Sequence, residues 1–220
     1  MLLDRVRGFA MPGGAPDVRR VTTIEGGEIR NGPAASWIPL TATQWFDPRG
    51  LQFRWEARAR MAPLVTAAVV DAYENGRGEL TVRVLGRVRI ASVSGPEADR
   101  GELIRLLASF PTCPMAFDDH RAIEWSAVGP AQLRARCRMG AADVTVDFSI
   151  GEDGRVLGSS SPDRPRQVGR TFVPTPWSTS CADYRTFGAL RVPTTIGASW
   201  NAPEGRFDYY RATITELTIS

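Results

Sequence analysis

The chain has 220 residues, enough to bury one sizeable core, and its 43% hydrophobic and 23% charged residues are those of a soluble globular protein. Its 27 basic residues are all arginine and are set against 24 acids, so the net charge is only +3 and no lysine is available for Schiff-base or general-base chemistry. The arginines mix with acids along segments such as RWEARAR (54–60) instead of gathering in a patch, which speaks against a nucleic-acid surface.

The N-terminal segment MLLDRVRGFAMPGG is too short and too charged for a signal peptide or a membrane span. Cys113, Cys137 and Cys181 are odd in number and widely spaced, as expected of reduced thiols rather than a disulfide framework. Together these features predict a cytoplasmic protein.

In chain order, residues 2–10 predict a short amphipathic helix that stops before MPGGAP. ASWIPLTATQWF reads as a strand, DPRG (47–50) as a turn, and LQFRWEARA as a second strand. There Leu51, Phe53, Trp55, Ala57 and Ala59 alternate with polar residues and fall on one face. ENGRG (74–78) is a hairpin turn, with Asn75-Gly76 supplying the left-handed conformations that a tight turn needs. ELTVRVLGRVRIASV follows as strand, with a bulge or sharp bend at Gly86. GPEADRGELIRLLASFPTCP (95–114) is the one clear helix of the interior, with Pro96 in its first turn and Glu97 and Asp99 near its positive end.

Strands resume at about 122–128, 131–139 and 142–150, and GEDG (151–154) forms a turn. Shorter strands broken by SPDRPR and TPW follow, then a final hairpin across NAPEG. No repeat or linker divides the chain. The expectation is a single mostly β domain over residues 1–220. It comprises an N-terminal helix or arm (1–18), first strands (19–93), a helical plug (95–119) and the remaining strands (120–220). A sheet of ten to twelve strands curls, and Leu103, Ile104, Leu106, Leu107 and Phe110 are spaced to cover its concave face. The space left beside that helix is the expected small-molecule site.

His120 is the single histidine, which removes the common zinc and iron ligand sets, and no G-x-S-x-G, Walker or G-x-G-x-x-G motif follows a strand. No cofactor and no metal are therefore predicted. Candidate acid–base residues are His120 and Glu124 in FDDHRAIEW, and Asp99 and Glu102 on the helix. Each also has a structural reading: a solvated loop for the first two, a helix-dipole partner for Asp99, a surface pair with Arg105 for Glu102. A carboxyl turned into an apolar hollow would hold its proton at higher pH than usual. Phe110, Trp125, Trp177, Tyr184 and Tyr209 are the candidate ligand-binding aromatics, with core packing as the alternative for each.

FSIGEDGRV, PDRPRQVGRTFVPTPW, DYRTFGALRVPTTIGASW and EGRFDYYRATIT resemble segments of an uncharacterised bacterial family marked by F-V-P-T-P-W, D-Y and R-V-P-T in this order. RMAP, DAYENGRGEL, GPEADRGELIRLLASFPT and IEW extend the resemblance over roughly residues 19–215. That family is similar to the LolA/LolB lipoprotein-carrier superfamily. The resemblance implies a curled, incomplete antiparallel barrel whose apolar cavity is plugged by helices. Relatives have a longer stretch, often with an acid, between L-A and F-P-T, whereas LASFPT is short here and carries Ser109.

Three functions fit these features. One is a cofactor-independent enzyme of the cyclase, dehydratase or isomerase type acting on an apolar small molecule. Another is a non-catalytic binder or carrier of lipid-like ligands, and the last is an interaction module with a filled core. The oligomeric state is open at this point.

Overall fold

The computed structural model describes residues 1–220 apart from Arg87, Asp119 and His120. Helix α1 (Leu2–Ala10) precedes strands β1 (Val21–Ile29), β2 (Ile38–Asp47), β3 (Gln52–Ala62), β4 (Val65–Glu74), β5 (Arg77–Val84) and β6 (Val88–Ser94). Helix α2 (Pro96–Ala108) and two short 3-10 turns (Phe110–Thr112 and Pro114–Phe117) lead to β7 (Ile123–Gly129), β8 (Gln132–Met139) and β9 (Ala142–Ile150). The long strands β10 (Val156–Val168), β11 (Thr171–Phe187), β12 (Leu190–Ala202) and β13 (Gly205–Ile219) complete the chain.

The thirteen strands of the described residues form one antiparallel sheet, in which each pairs with its sequence neighbours except β6 with β7, and β13 pairs with β1. The sheet is not closed: β6 and β7 are its two edges, and α2 is the connection between them. A segment joining opposite edges of a curled sheet passes over one of its two faces, and here it takes the concave one. Accordingly, α2 packs on β4 and β5 of one wing and on β9 and β10 of the other.

The alternation in β3 appears as expected, with Leu51, Phe53, Trp55, Ala57 and Ala59 all buried on the concave side. Leu103, Ile104, Leu106 and Leu107 of α2, all buried, join the same core cluster. A helix enclosed by two wings is apolar around most of its circumference, not along one stripe. The 3-10 turns carry Phe110 and Phe117 into an aromatic group with Phe148 and Trp125, with neighbouring ring centroids 5.3–6.5 Å apart. Helix α1 closes the end of the sheet where the β9–β10 and β11–β12 loops emerge. Arg5 bonds the Gly151 carbonyl there (3.1 Å), and Phe9 meets Tyr184 edge to face (5.1 Å).

Two parts of the strand pattern differ from expectation. The bend at Gly86 is a complete hairpin turn, with Leu85 and Gly86 both at positive φ (52° and 70°), so the segment is two strands. SPDRPR and TPW do not break strands either: they lie inside β10 and β11. Pro162 and Pro165 are tolerated because β9 pairs with β10 only as far as Ser160, and the β10–β11 ladder slips between Ser161 and Arg164.

Close approach fixes the helix. A Cβ on Gly78 of β5 would sit 2.5 Å from the Ala98 carbonyl carbon and 2.8 Å from the Asp99 nitrogen. Asp99 answers by accepting the Gly78 N–H at 2.7 Å. Gly78→Ala is therefore expected to push α2 off β5 and to cost about 1–3 kcal/mol of stability, the usual range for overpacking. Urea unfolding would show this, and an unchanged midpoint would contradict the tight seat.

Candidate functional site

Between α2 and the concave face lies a cavity of about 260 Å³. Two rows of side chains, set by the sheet register, form its floor. On one wing Gln44, Trp55, Asp71 and Leu80 stand side by side across β2–β5. In the second row, Ile29, Tyr210, Ala198 and Thr179 do the same across β1, β13, β12 and β11. Helix α2 supplies the roof through Glu102, Arg105 and Ala108. An outer vestibule of about 600 Å³ opens beside the β1–β2 and β12–β13 loops, at the end away from α1. Both spaces are lined by Ile29, Leu80, Glu102, Arg164, Trp200 and Tyr209, which stand at the boundary between them.

The cavity is mostly apolar but holds two buried charge systems. Arg164 donates to Glu102 Oε1 (3.3 Å), to Tyr209 Oη (3.3 Å) and to the Gly101 carbonyl (3.2 Å). Its guanidinium lies 4.5 Å from the Trp177 ring centroid, and Trp177 itself donates to Tyr209 Oη at 3.0 Å. Arg105 pairs with Asp71, donates to Gln44 at 3.2 Å and stacks over Phe53 and Trp55. Guanidinium suits such places because its planar face tolerates an aromatic ring while its rim serves carboxylates. Glu25 accepts from Trp55 Nε1 and from Tyr210 Oη (2.7 Å).

Burial governs the protonation of these groups. Desolvation raises the Glu102 carboxyl above its ordinary range, opposed by the charge and hydrogen bond of Arg164. Desolvation likewise raises Glu25, against the hydrogen bonds from Tyr210 and Trp55. Arg105 is lowered to about 10, first by burial and then by the nearby charge of Arg164. The Cys181 thiol in the cavity wall is pushed up to about 12 by burial, so it is no nucleophile near neutrality. Two carboxylate oxygens, Glu102 Oε2 and Asp71 Oδ1, are buried without a hydrogen-bond partner among the described residues. Among the described residues, no group of three or more histidines, cysteines or carboxylates is placed to hold a metal ion.

The family model for DUF6544, a family of unknown function, matches residues 8–212. The chain belongs to DUF6544. Three solved structures share the fold of this DUF6544 chain, each aligning over all of it. A putative outer membrane lipoprotein-sorting protein domain from Vibrio parahaemolyticus has 10% identity and a TM-score of 0.55, with 89% of its own chain covered. A LolA superfamily protein from Nitrosomonas europaea has 7% identity, a TM-score of 0.53 and 92% coverage. A DUF1329 family protein from Desulfovibrio piger has 10% identity, a TM-score of 0.55 and 90% coverage. No curated protein matches the chain. The incomplete, helix-plugged LolA-like barrel is thus the architecture of this DUF6544 member.

Among the residues singled out from sequence, the structure brings Glu102, Trp177 and Tyr209 together at the cavity. Glu102 does not pair with Arg105 along the helix; it reaches Arg164 on β10. Asp99 faces β5, where it holds Gly78 and lies 3.6 Å from Arg77. Glu124 is exposed on β7 and pairs with Arg138 at 3.3 Å. Phe110 and Trp125 belong to the aromatic group behind the helical segment. Tyr184 donates to the Val156 carbonyl (2.7 Å) beneath α1 and is not part of the cavity wall. His120 lies outside the described residues.

The residues missed were Glu25, Gln44, Asp71, Arg105 and Arg164. For two of them a signal existed. Glu25 continues the inward alternation of Val21 and Thr23, and Asp71 stands between inward-facing Val69 and Tyr73. A charge on the core side of an alternating strand marks a buried site.

Because Glu25 holds its proton more tightly in the folded protein than in the unfolded chain, its contribution to stability is fully present below the ordinary value of 4.5. That contribution is lost as pH rises through the folded value. Glu25→Gln cannot ionise, so its urea midpoint should fall less than that of the parent chain between pH 5 and pH 8. Parallel profiles would show that Glu25 titrates as it does in water.

Proposed function

We propose that this protein is a binder or carrier of an apolar small molecule, which enters through the vestibule and lodges between α2 and the sheet. The observation that carries this reading is that vestibule and cavity adjoin, with Ile29, Leu80, Trp200 and Tyr209 lining both. The inner space lies just under the ~300 Å³ at which small-molecule sites begin, and the vestibule extends it. Aromatic side chains offer a ligand a large contact area at little entropic cost. The description of one similar structure as a putative lipoprotein-sorting domain supports the same reading.

Catalysis is less well supported. Acid–base chemistry needs a group within reach of substrate and free to exchange a proton. Of the carboxyls proposed for that work, Asp99 and Glu124 are engaged elsewhere, which leaves Glu102 alone, with one of its oxygens held by Arg164.

Ala198 lies on the cavity floor and is 7% exposed. Ala198→Trp would fill the space with an indole. The parent chain should enhance the fluorescence of N-phenyl-1-naphthylamine, a neutral apolar probe. The variant should bind it at least tenfold more weakly while keeping its circular dichroism. Equal binding by both chains would place the probe outside the cavity and overturn the reading.

A further inference from the structure

The proposed function leaves the chemistry of the ligand open, and the two unpartnered oxygens bear on it. Glu102 and Asp71 are each 9% exposed, and both line the inner cavity. Each spends one carboxylate oxygen on an arginine and keeps the other, Oε2 and Oδ1, buried with no donor. A buried acceptor left without a donor costs free energy that a bound donor recovers. A pure hydrocarbon cannot supply one.

The charges around the cavity narrow the choice further. Arg105 and Arg164 have their positive charge matched by Asp71 and Glu102, so no bare cation awaits an anion. An anionic head would face the two free carboxylate oxygens at low local dielectric. A cationic head would face two guanidiniums, and the charge of Arg164 already lowers the hold of Arg105 on its proton. Three donor atoms of Arg164 are engaged, at Glu102, Tyr209 and Gly101, and a guanidinium has five N–H groups. Glu102 and Arg164 therefore present an acceptor and a donor together. A hydroxyl is the smallest common neutral group that answers both with a single atom, donating to a carboxylate oxygen while accepting from an arginine N–H.

Resting on the apolar-binder reading, we infer that the ligand is an apolar molecule bearing a hydroxyl group, which donates to the free oxygen of Glu102 or Asp71 and accepts from the arginine paired with that carboxylate. The hydrocarbon part occupies the space among Trp55, Trp177, Ala198 and Tyr210.

Displacement of N-phenyl-1-naphthylamine by three matched ten-carbon probes, decan-1-ol, decanoate and decylamine, tests this at pH 7.5. Decan-1-ol is expected to displace the probe at no more than one tenth of the concentration that either charged homologue needs. Glu102→Gln replaces a carboxylate by an amide of the same shape, whose free end can donate, and should shrink the preference for alcohol over decanoate to below about threefold. Asp71→Asn serves as a second variant with the same expected direction. The readout is a ratio within each protein, which general loosening of the fold would not move selectively. If decanoate or decylamine matches the alcohol on the parent chain, or if both variants keep the tenfold preference, the hydroxyl assignment is wrong and the apolar-binder reading stands. If the naphthylamine probe fails to bind the parent chain and none of the three alkyl probes gives a calorimetric signal, the binder reading falls and the assignment falls with it.

Discussion

Everything in this fold depends on one helix holding two wings of a sheet at a fixed distance. A sheet with unpaired edges at β6 and β7 has no ladder to set its curvature. Helix α2 sets it with oppositely directed side chains: Arg105 reaches Asp71 on β4, and Glu102 reaches Arg164 on β10. Each pair is withdrawn from water, so its net contribution to stability is small once desolvation is counted, whereas loss of one member leaves an uncompensated buried charge. The pairs therefore define width and orientation more than they add stability. The apolar contacts of Leu103, Ile104 and Leu107 supply the attraction, and the ion pairs determine where the helix comes to rest.

The same arrangement explains why the interior is not filled. A helix has a cylindrical surface and a curled sheet a broader one, so contact along α2 leaves space beside it. Large side chains could close that space. The positions beside it instead carry Ala198, Gly197 and Thr179 on one wing, and arginines already committed to carboxylates under the helix. Small residues facing polar groups keep the hollow open, and the aromatic walls of Trp55 and Trp177 keep it rigid.

Much of the architecture was legible in the sequence, because it rests on local signals. The period of two in residues 51–59 located a buried face, Asn75-Gly76 located a tight turn, and Pro96 with Glu97 located the start of a helix. The long strands β10 and β11 were not legible. Whether a proline ends a strand depends on whether the neighbouring ladder is present, and β9 stops short of Pro162. The site was legible only in part. Glu102 and Tyr209 could be singled out by residue type, but their partner Arg164 is 62 residues from Glu102 and sits in a segment that read as a break. Asp99 and Glu124 carried the right chemistry in the right region, yet packing turned one to a β5 amide and the other to solvent. Direction, unlike residue type, is decided by contacts distant in sequence.

The order of strands has one more consequence. Residues up to Ser94 build one wing and residues from Ile123 onward the other, and the wings meet at a single ladder, β1 with β13, between strands close to the two chain ends. Covalently they are joined only through α2 and the turns after it. The molecule is thus assembled from two sequential halves, each a meander of hairpins with mostly local contacts, that share one central seam. Such a chain can form most of its ladders during synthesis before the seam closes, leaving the β1–β13 pairing and the seating of α2 as the long-range steps of folding.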